Sequence, residues 1–223
     1  YGPEVYGVLN SSTSTDNNTF ELLNITSTGT YHATSGVTVL PNVVSSNNYA
    51  FVKSGTLLHN NGTFKMNASA ELNLSSAWSD QLYSLELDND DTANLESDFN
   101  LAGDLFVKTG SILNILSDQV DRDLTVAETF YLNGTYDGRT SNPSFGGFVI
   151  QDEGQYKLTN ATLTLTGDNH ELRNDGSSGA EPYPIILDDL SELCTVFNIS
   201  EGSNINMSGA WDSQYPSGSQ YGQ

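Results

Sequence analysis

Residues 72–116 consist of short stretches in which apolar and polar residues alternate, and each stretch ends at Gly, Asn, Asp or Ser. Alternation places one side of a β-strand in a core and the other side in solvent. Four such stretches follow one another without a helical period between them, which predicts an elongated all-β stack. Their apolar residues are Leu72 and Leu74; Leu82, Leu85 and Leu87; Phe99, Leu101, Leu105 and Val107; and Ile112 and Ile115.

Two turns elsewhere in the chain have nearly the same sequence, LLHNNGTFKM around Asn61-Gly62 and FYLNGTYDG around Asn133-Gly134. Both residue types tolerate positive φ, so Asn-Gly is a strong turn signal. It is typical of hairpins in antiparallel sheets and also of the arcs that join successive strands of a solenoid. The turns therefore predict β structure and leave the topology open.

An internal repeat favours the solenoid. Residues 70–107 can be aligned with residues 161–207, because each begins with an A-x-L-x-L strand, continues through a polar segment to an apolar strand ending in acids, and closes with a strand, a turn and a strand. Repeats that cannot bury an apolar face alone bury it by stacking.

Residues 96–116, ESDFNLAGDLFVKTGSILNIL, and the similar segment at 54–74 resemble right-handed β-helix repeat proteins of microbial and viral surfaces. The resemblance covers residues 50–210 and implies a right-handed β-helix, or β-solenoid, with an adhesin-like or fibre-like role. The alternative fold is an antiparallel β-sandwich or jelly roll in which the Asn-Gly turns are hairpins.

We divide the chain into three parts. Residues 20–208 form the β-rich repeat domain, and residues 209–223 form a Gly/Ser/Tyr tail. Residues 1–19 are predicted to be an N-terminal strand or arm that pairs with a neighbouring subunit by donating a strand, with a frayed terminus as the alternative. The predicted subunit contacts are Tyr1, Val5, Tyr6, Val8 and Leu9.

The formal net charge is −21, from 28 acidic and 7 basic residues. Such a surface repels nucleic acid and anionic membranes, and it suits divalent cations, high salt or simple colloidal repulsion. No stretch approaches the roughly 20 apolar residues of a membrane span. The single cysteine, Cys194, excludes an internal disulfide and is predicted to be a small buried hydrophobe.

Asn-X-Ser/Thr sequons suggest export to the cell surface or beyond, and the start YGPEVYG, without Met, suggests a processed product. Covalent N-glycans are therefore expected partners. The ten candidate sites are Asn10, Asn17, Asn24, Asn61, Asn67, Asn73, Asn133, Asn160, Asn198 and Asn206.

Two acidic clusters are candidate calcium sites, Asp88, Asp90 and Asp91 after one strand and Asp121 and Asp123 in a turn. Clustered carboxylates in loops can supply the six to eight oxygens that calcium takes. Neither cluster has the EF-hand spacing, so the alternative is that these are solvated turn acids. No other cofactor is expected.

Catalytic motifs are absent from the sequence. The histidines lie in YHA, LHN and NHE contexts, no Arg-x-Lys accompanies the paired aspartates, and no Gly-x-Ser-x-Gly occurs. We therefore expect a protein that is not an enzyme, and we keep a β-helix polysaccharide-degrading enzyme as one alternative. Trp78 and Trp211 share an Ala-Trp-x-x-Gln frame, which indicates either a packing role used twice or a sugar-binding platform.

The sequence thus predicts a secreted structural subunit that self-assembles into a surface filament, sheath, coat or viral fibre. The first alternative is a carbohydrate-binding or adhesive module that contacts a surface polysaccharide.

Overall fold

The computed structural model describes residues 4–43, 48–115, 122–139, 141–151, 154–158 and 162–166, together with four later strands between residues 171 and 205. All strand pairs are parallel in this part of the chain. The strands in chain order are β1 (Glu4–Val5), β2 (Val8–Asn10), β3 (Asn18–Thr19), β4 (Leu23–Ile25), β5 (Thr30–His32), β6 (Val37–Leu40), β7 (Phe51–Lys53), β8 (Thr56–Leu58), β9 (Thr63–Met66), β10 (Leu72–Leu74), β11 (Ser84–Leu87), β12 (Thr92–Leu95), β13 (Phe99–Leu101), β14 (Leu105–Val107), β15 (Ile112–Ile115), β16 (Leu124–Leu132), β17 (Thr135–Arg139), β18 (Ser144–Ile150), β19 (Gln155–Leu158), β20 (Thr162–Leu165), β21 (Glu171–Asn174), β22 (Ile186–Leu187), β23 (Val196–Ile199) and β24 (Asn204–Ile205).

The strands stack as a parallel β-solenoid of about seven turns, which confirms the predicted fold class and rules out the sandwich alternative. Strands three apart in sequence are neighbours in space through most of the fold, so each coil contributes one strand to each of three faces. In the middle coils the register joins Leu85 to Leu105 and Thr92 to Ile112, so the coil length is the same on both faces. Parallel pairing over such a separation requires a crossover, which the rest of the coil supplies.

We number the faces by the order in which the chain reaches them. The first face carries the sheet β1–β4–β7 and then the sheet β10–β12–β15–β17–β19–β22. The second face begins as the sheet β2–β5–β8 and resumes at β13, which pairs with the start of β16. The third face runs through β3, β6, β9, β11 and β14 to the end of β16, and β16 and β18 bend across both of these faces.

The core is a set of columns parallel to the solenoid axis. On the third face, one column stacks Phe64, Leu85, Leu105, Phe130 and Phe148 in register, and all five are at most 1% exposed. Each coil adds a rung at about 4.8 Å, so apolar side chains bury one another along the axis. The inward apolar residues of the alternating stretches therefore form one continuous core.

Two details differ from the sequence analysis. The alternation groups Ile112 with Ile115 as core residues, but Ile112 points outward and is 37% exposed, while Leu113 takes the inward position. The two segments aligned as an internal repeat also do not correspond, because β10 lies on the first face and β20 is in the sheet of the second and third faces. The structural repeat is the single coil.

Candidate functional site

The first coil is the region in which the predicted subunit contacts lie. Residues 4–19 do not form a separate arm, since β1 pairs with β4 and β2 pairs with β5. Val5 is buried at 6% exposure and Leu9 packs partly against the core, whereas Tyr6 and Val8 are 65% and 70% exposed. Tyr1 lies outside the described residues. The coil is thus an integral end of the solenoid, and a role in subunit contact stays a prediction.

One edge of this coil is unpaired in the part of the chain that the structure describes. Within the solenoid, Thr30 N–H donates to Gly7 O and Ser11 N–H donates to His32 O, each at 2.8 Å. Backbone groups of alternate residues in a strand point to opposite sides. The N–H and C=O groups of Val8 and Asn10 therefore point away from the second coil, as a strand edge open to pairing.

A short hydrogen bond lies beside this edge. The Tyr6 hydroxyl donates to Glu4 Oε2 at 2.5 Å, and this bond to the carboxylate raises the pKa of the Tyr6 phenol. The Tyr6 hydroxyl beside the edge is therefore already engaged with a side chain of its own coil.

The glycosylation candidates differ in accessibility. Asn10, Asn17 and Asn61 are exposed, while Asn24, Asn67, Asn73 and Asn133 are half-buried. Asn67 Oδ1 is buried without a hydrogen-bond partner, and Asn24 Nδ2 donates to Glu4 Oε1 at 3.4 Å. Asn160 and Asn206 lie outside the described residues, as does the side chain of Asn198. Glycosylation itself stays a prediction, and of the exposed sites Asn17 and Asn61 lie outside the unpaired strand that contains Asn10.

The acidic clusters do not converge. In the part of the chain that the structure describes, no three His, Cys, Asp or Glu side chains come together as metal ligands. Asp91 Oδ1 accepts from Thr92 N–H at 2.7 Å, and Asp123 Oδ1 accepts from Asn142 N–H at 2.9 Å. The Asp91 carboxylate therefore contacts its own turn, and the Asp123 carboxylate joins two successive coils. Asp90 is exposed, and Asp121 is outside the described residues, as is Cys194, so calcium binding stays a prediction.

Asp88 has a different partner. Lys65 Nζ lies 2.5 Å from Asp88 Oδ2 and 2.8 Å from Glu86 Oε1, bridging two coils on the outside of the third face. Hydrogen bonds to the two carboxylates raise the pKa of Lys65 against the opposing effect of its partial burial. This cation offsets repulsion between two acids of one strand.

Trp78 is not a sugar platform. It is 1% exposed and stacks on Phe51 with ring centroids 4.4 Å apart and planes at 10°, and Tyr49 meets it edge-on at 5.7 Å. The packing interpretation of the Ala-Trp-x-x-Gln frame is correct at this position. Trp211 lies outside the described residues.

A polar groove follows the corner between the third and first faces. It has a volume of about 330 Å³ and is lined by three successive coils, at 110–112, 133–135 and Gln155. The side chains that line it are hydroxyls, amides and Ile112. They offer hydrogen bonds to a small polar ligand, but none of them is a general acid or base.

Two features of the site region were not predicted from the sequence. The first is a set of glycines at the corners. A Cβ on Gly62 would lie 2.1 Å from Thr34 O, and one on Gly134 would lie 2.2 Å from Ser111 O, so the Asn-Gly turns need glycine because adjacent coils approach closely. Positive φ is found instead at Asn60 and Asn61. Glycines at 29 and 55, and at 36 and 62, have equal separations, and this recurrence could have revealed them.

The second feature is a column of amides on the outside of the first face, where Asn73, Asn94 and Asn114 are in register. Asn114 Nδ2 donates to Asn94 Oδ1 at 3.1 Å, and Asn94 Nδ2 donates to Glu71 Oε1 at 2.6 Å. The nearly equal spacing of these asparagines in the sequence could have revealed the column.

No described helix is long and apolar enough to cross a membrane. Comparison of the chain with family models, with curated proteins and with solved structures finds no match.

Proposed function

We propose that this protein is an extracellular structural subunit whose copies join end to end through the open edge of the first coil. The observation that carries the proposal is that edge: Val8 is 70% exposed, and its backbone groups point away from the coil that pairs with β2. An unpaired edge of a parallel sheet is a template for another strand. The continuous core supports a structural role, since each added coil buries more apolar surface.

The charge of the chain constrains assembly. Subunits with a net charge of −21 repel one another, and salt screens this repulsion within about 8 Å at physiological ionic strength. Polymer formation should therefore rise with NaCl concentration. The exposed sequons Asn17 and Asn61, which lie outside the open edge, support an exported, glycosylated product.

The test is a substitution that removes one outward N–H and leaves the internal ladder intact. Val8→Pro deletes the N–H that points away from β5, and proline is tolerated on edge strands. Val8→Thr is the matched control, because it keeps the N–H and a β-branched side chain. Deleting residues 1–10 would be a poorer test, since Val5 is in the core and Leu9 packs against it.

Negative-stain imaging and light scattering at high salt provide the measurement. We expect filaments for the native protein and for Val8→Thr, and monomers for Val8→Pro with an unchanged melting temperature. Filaments of normal length from the folded proline variant would contradict the proposal.

The corner groove supports a second candidate, a carbohydrate-binding module, because hydroxyl and amide side chains converge there. Glycan-array binding that is lost on Gln155→Ala and kept on Trp78→Phe would favour this function over the structural one.

A further inference from the structure

The charge of the chain is distributed unevenly along the solenoid. Residues 1–65 carry three acidic and two basic side chains, a net charge of −1, and residues 66–223 carry the remaining −20. The first three coils, through β9, are therefore nearly neutral, while the rest of the protein is strongly acidic. Two copies can approach with least repulsion at these coils.

Within the neutral coils, one sheet presents a surface with no carboxylate and no Lys or Arg. On the second face, β2, β5 and β8 lie in register, with Leu9, Tyr31 and Leu57 pointing inward. We call the opposite surface of this sheet the neutral face. It consists of two columns, Val8–Thr30–Thr56 and Asn10–His32–Leu58.

The neutral face also holds two of the four large hydrophobic side chains that are exposed among the described residues, and a third borders it. Val8 is 70% exposed and Leu58 is 45% exposed, at opposite corners of the sheet, and Tyr6 borders it at 65%. The outward side of the third face, by contrast, carries Lys65, Glu86 and Asp88. The chain has a net charge of −21, but this sheet is uncharged and has apolar corners. Such a surface is suited to contact with another uncharged, partly apolar surface.

We infer that the neutral face is a lateral contact with a second copy of this chain, packed sheet against sheet. The inference rests on the proposed function, because the face is small: three short strands cover far less than the roughly 800 Å² per partner of a stable dimer. One such contact is weak. Copies aligned along a filament repeat it many times, and the summed contacts hold neighbouring filaments side by side.

Thiol cross-linking measures this contact whether or not filaments form. In a Cys194→Ser background, Thr30→Cys places one thiol at the centre of the neutral face, and Val37→Cys places one outward on the third face of the same coil. Both native residues are half-buried and neither has a charged neighbour in register. With a short bismaleimide we expect dimer to form at least about tenfold faster for Thr30→Cys, and equal rates would overturn the inference.

Imaging of Leu58→Glu separates this inference from the proposed function. We expect bundled filaments from the native protein and single filaments from Leu58→Glu, because the added carboxylate lies two coils from the polymerising edge. Bundles of equal width would overturn the lateral contact and leave the proposed function standing. If the native protein forms no filaments but Thr30→Cys cross-links selectively, the proposed function is overturned and the lateral contact stands. Equal cross-linking combined with loss of polysaccharide binding in Leu58→Glu would reassign the face to a glycan.

Discussion

The second and third faces of the solenoid differ in how continuous their strand pairing is. The third face is an unbroken ladder of paired strands, with Leu40, Met66, Leu87, Val107 and Leu132 stacked as one of its columns. The second face is interrupted after β8, where a turn of 3₁₀ helix at Ser76–Trp78 takes the place of a strand. The core nevertheless continues through the gap, because Trp78 fills it.

Backbone groups in the interrupted coil find other partners. Leu82 N–H donates to Trp78 O at 3.3 Å, Asp80 N–H donates to Asn100 O at 3.1 Å, and Asn100 N–H donates to Ser79 Oγ at 3.0 Å. A coil can therefore lose its strand pairing on one face if its polar groups are satisfied and its core volume is kept. Burial, rather than a continuous ladder, is what the stack requires.

Replacing Trp78 gives the largest expected effect, because the interrupted face depends on one side chain. Trp78→Ala should lower the free energy of unfolding by about 3–5 kcal/mol, measured by urea denaturation. Trp78→Phe is the control and should recover most of the loss by stacking on Phe51. A loss for Trp78→Ala no greater than that of an exposed substitution would mean that the ladder alone holds this coil.

Replacing a corner glycine should give the next largest loss of stability. Gly62→Ala forces a Cβ against Thr34 O and should cost about 1–3 kcal/mol, as overpacking does. Gly7→Ala is the matched control, since a Cβ there meets nothing within 4 Å. Thermal melts that show the same shift for both variants would contradict close approach as the reason for glycine.

Buried phenols on the first face should respond to substitution and to alkali. Burial raises the pKa of Tyr136 and of Tyr156 above the ordinary value of 10.0. The native state then keeps protons that the unfolded chain releases. The contribution of each phenol to stability should be constant below about pH 10 and should fall above it by about 1.4 kcal/mol per pH unit.

The two phenols differ in their partners. Tyr136 Oη lies 3.2 Å from Ser141 Oγ, whereas Tyr156 Oη is buried with no partner among the described residues. Tyr156→Phe should therefore raise the free energy of unfolding at neutral pH by about 1 kcal/mol, and Tyr136→Phe should lower it by a similar amount. Either variant should also make the alkaline decline shallower in denaturation curves from about pH 8 to 12. Equal losses for the two variants at neutral pH would show that the Tyr156 hydroxyl is hydrogen-bonded after all.

The amide column gives the smallest effect. Asn114 Oδ1 is buried without a donor, and its register partner on the next coil is Asp137, which has only acceptors when ionised. Asp137→Asn should extend the column and stabilise the fold by about 0.5–1.5 kcal/mol. Asp16→Asn, which removes the same charge at an exposed site, controls for the change in net charge. Equal shifts in melting temperature would attribute the gain to charge alone.

The sequence was sufficient to predict the strands but not their assignment to faces. Alternation at Leu72–Leu74 and Phe99–Leu101 identifies inward positions, because burial of one side leaves a period of two. Which face a strand joins depends on the length of each corner, and this length varies: the coil that separates Phe130 from Phe148 is shorter than the one that separates Val37 from Thr63. Corner lengths leave no apolar pattern, which is why the sequence aligns β10 with β20 incorrectly.

The candidate site was harder to predict for a related reason. The sequence predicts Val5, Tyr6, Val8 and Leu9 together as subunit contacts, but Val5 is in the core and Leu9 packs against it, since β1 pairs with β4 and β2 with β5. The contact role of Tyr6 and Val8 stays a prediction. The neutral face draws its residues from three successive coils, which are distant in the chain and adjacent only through strand register. No local motif records such a surface.

The uniform separation of the register pairs Thr92–Ile112 and Leu85–Leu105 bears on how such a rod changes length. A tandem duplication of one coil would stack each residue on its own copy, for example Leu on Leu and Asn on Asn. The contacts between the other coils would not change. Growth by whole coils is then nearly free of new steric conflict, and the rod lengthens in steps of about 4.8 Å. Insertion of whole coils is therefore the change in size that this interior accommodates with the least rearrangement.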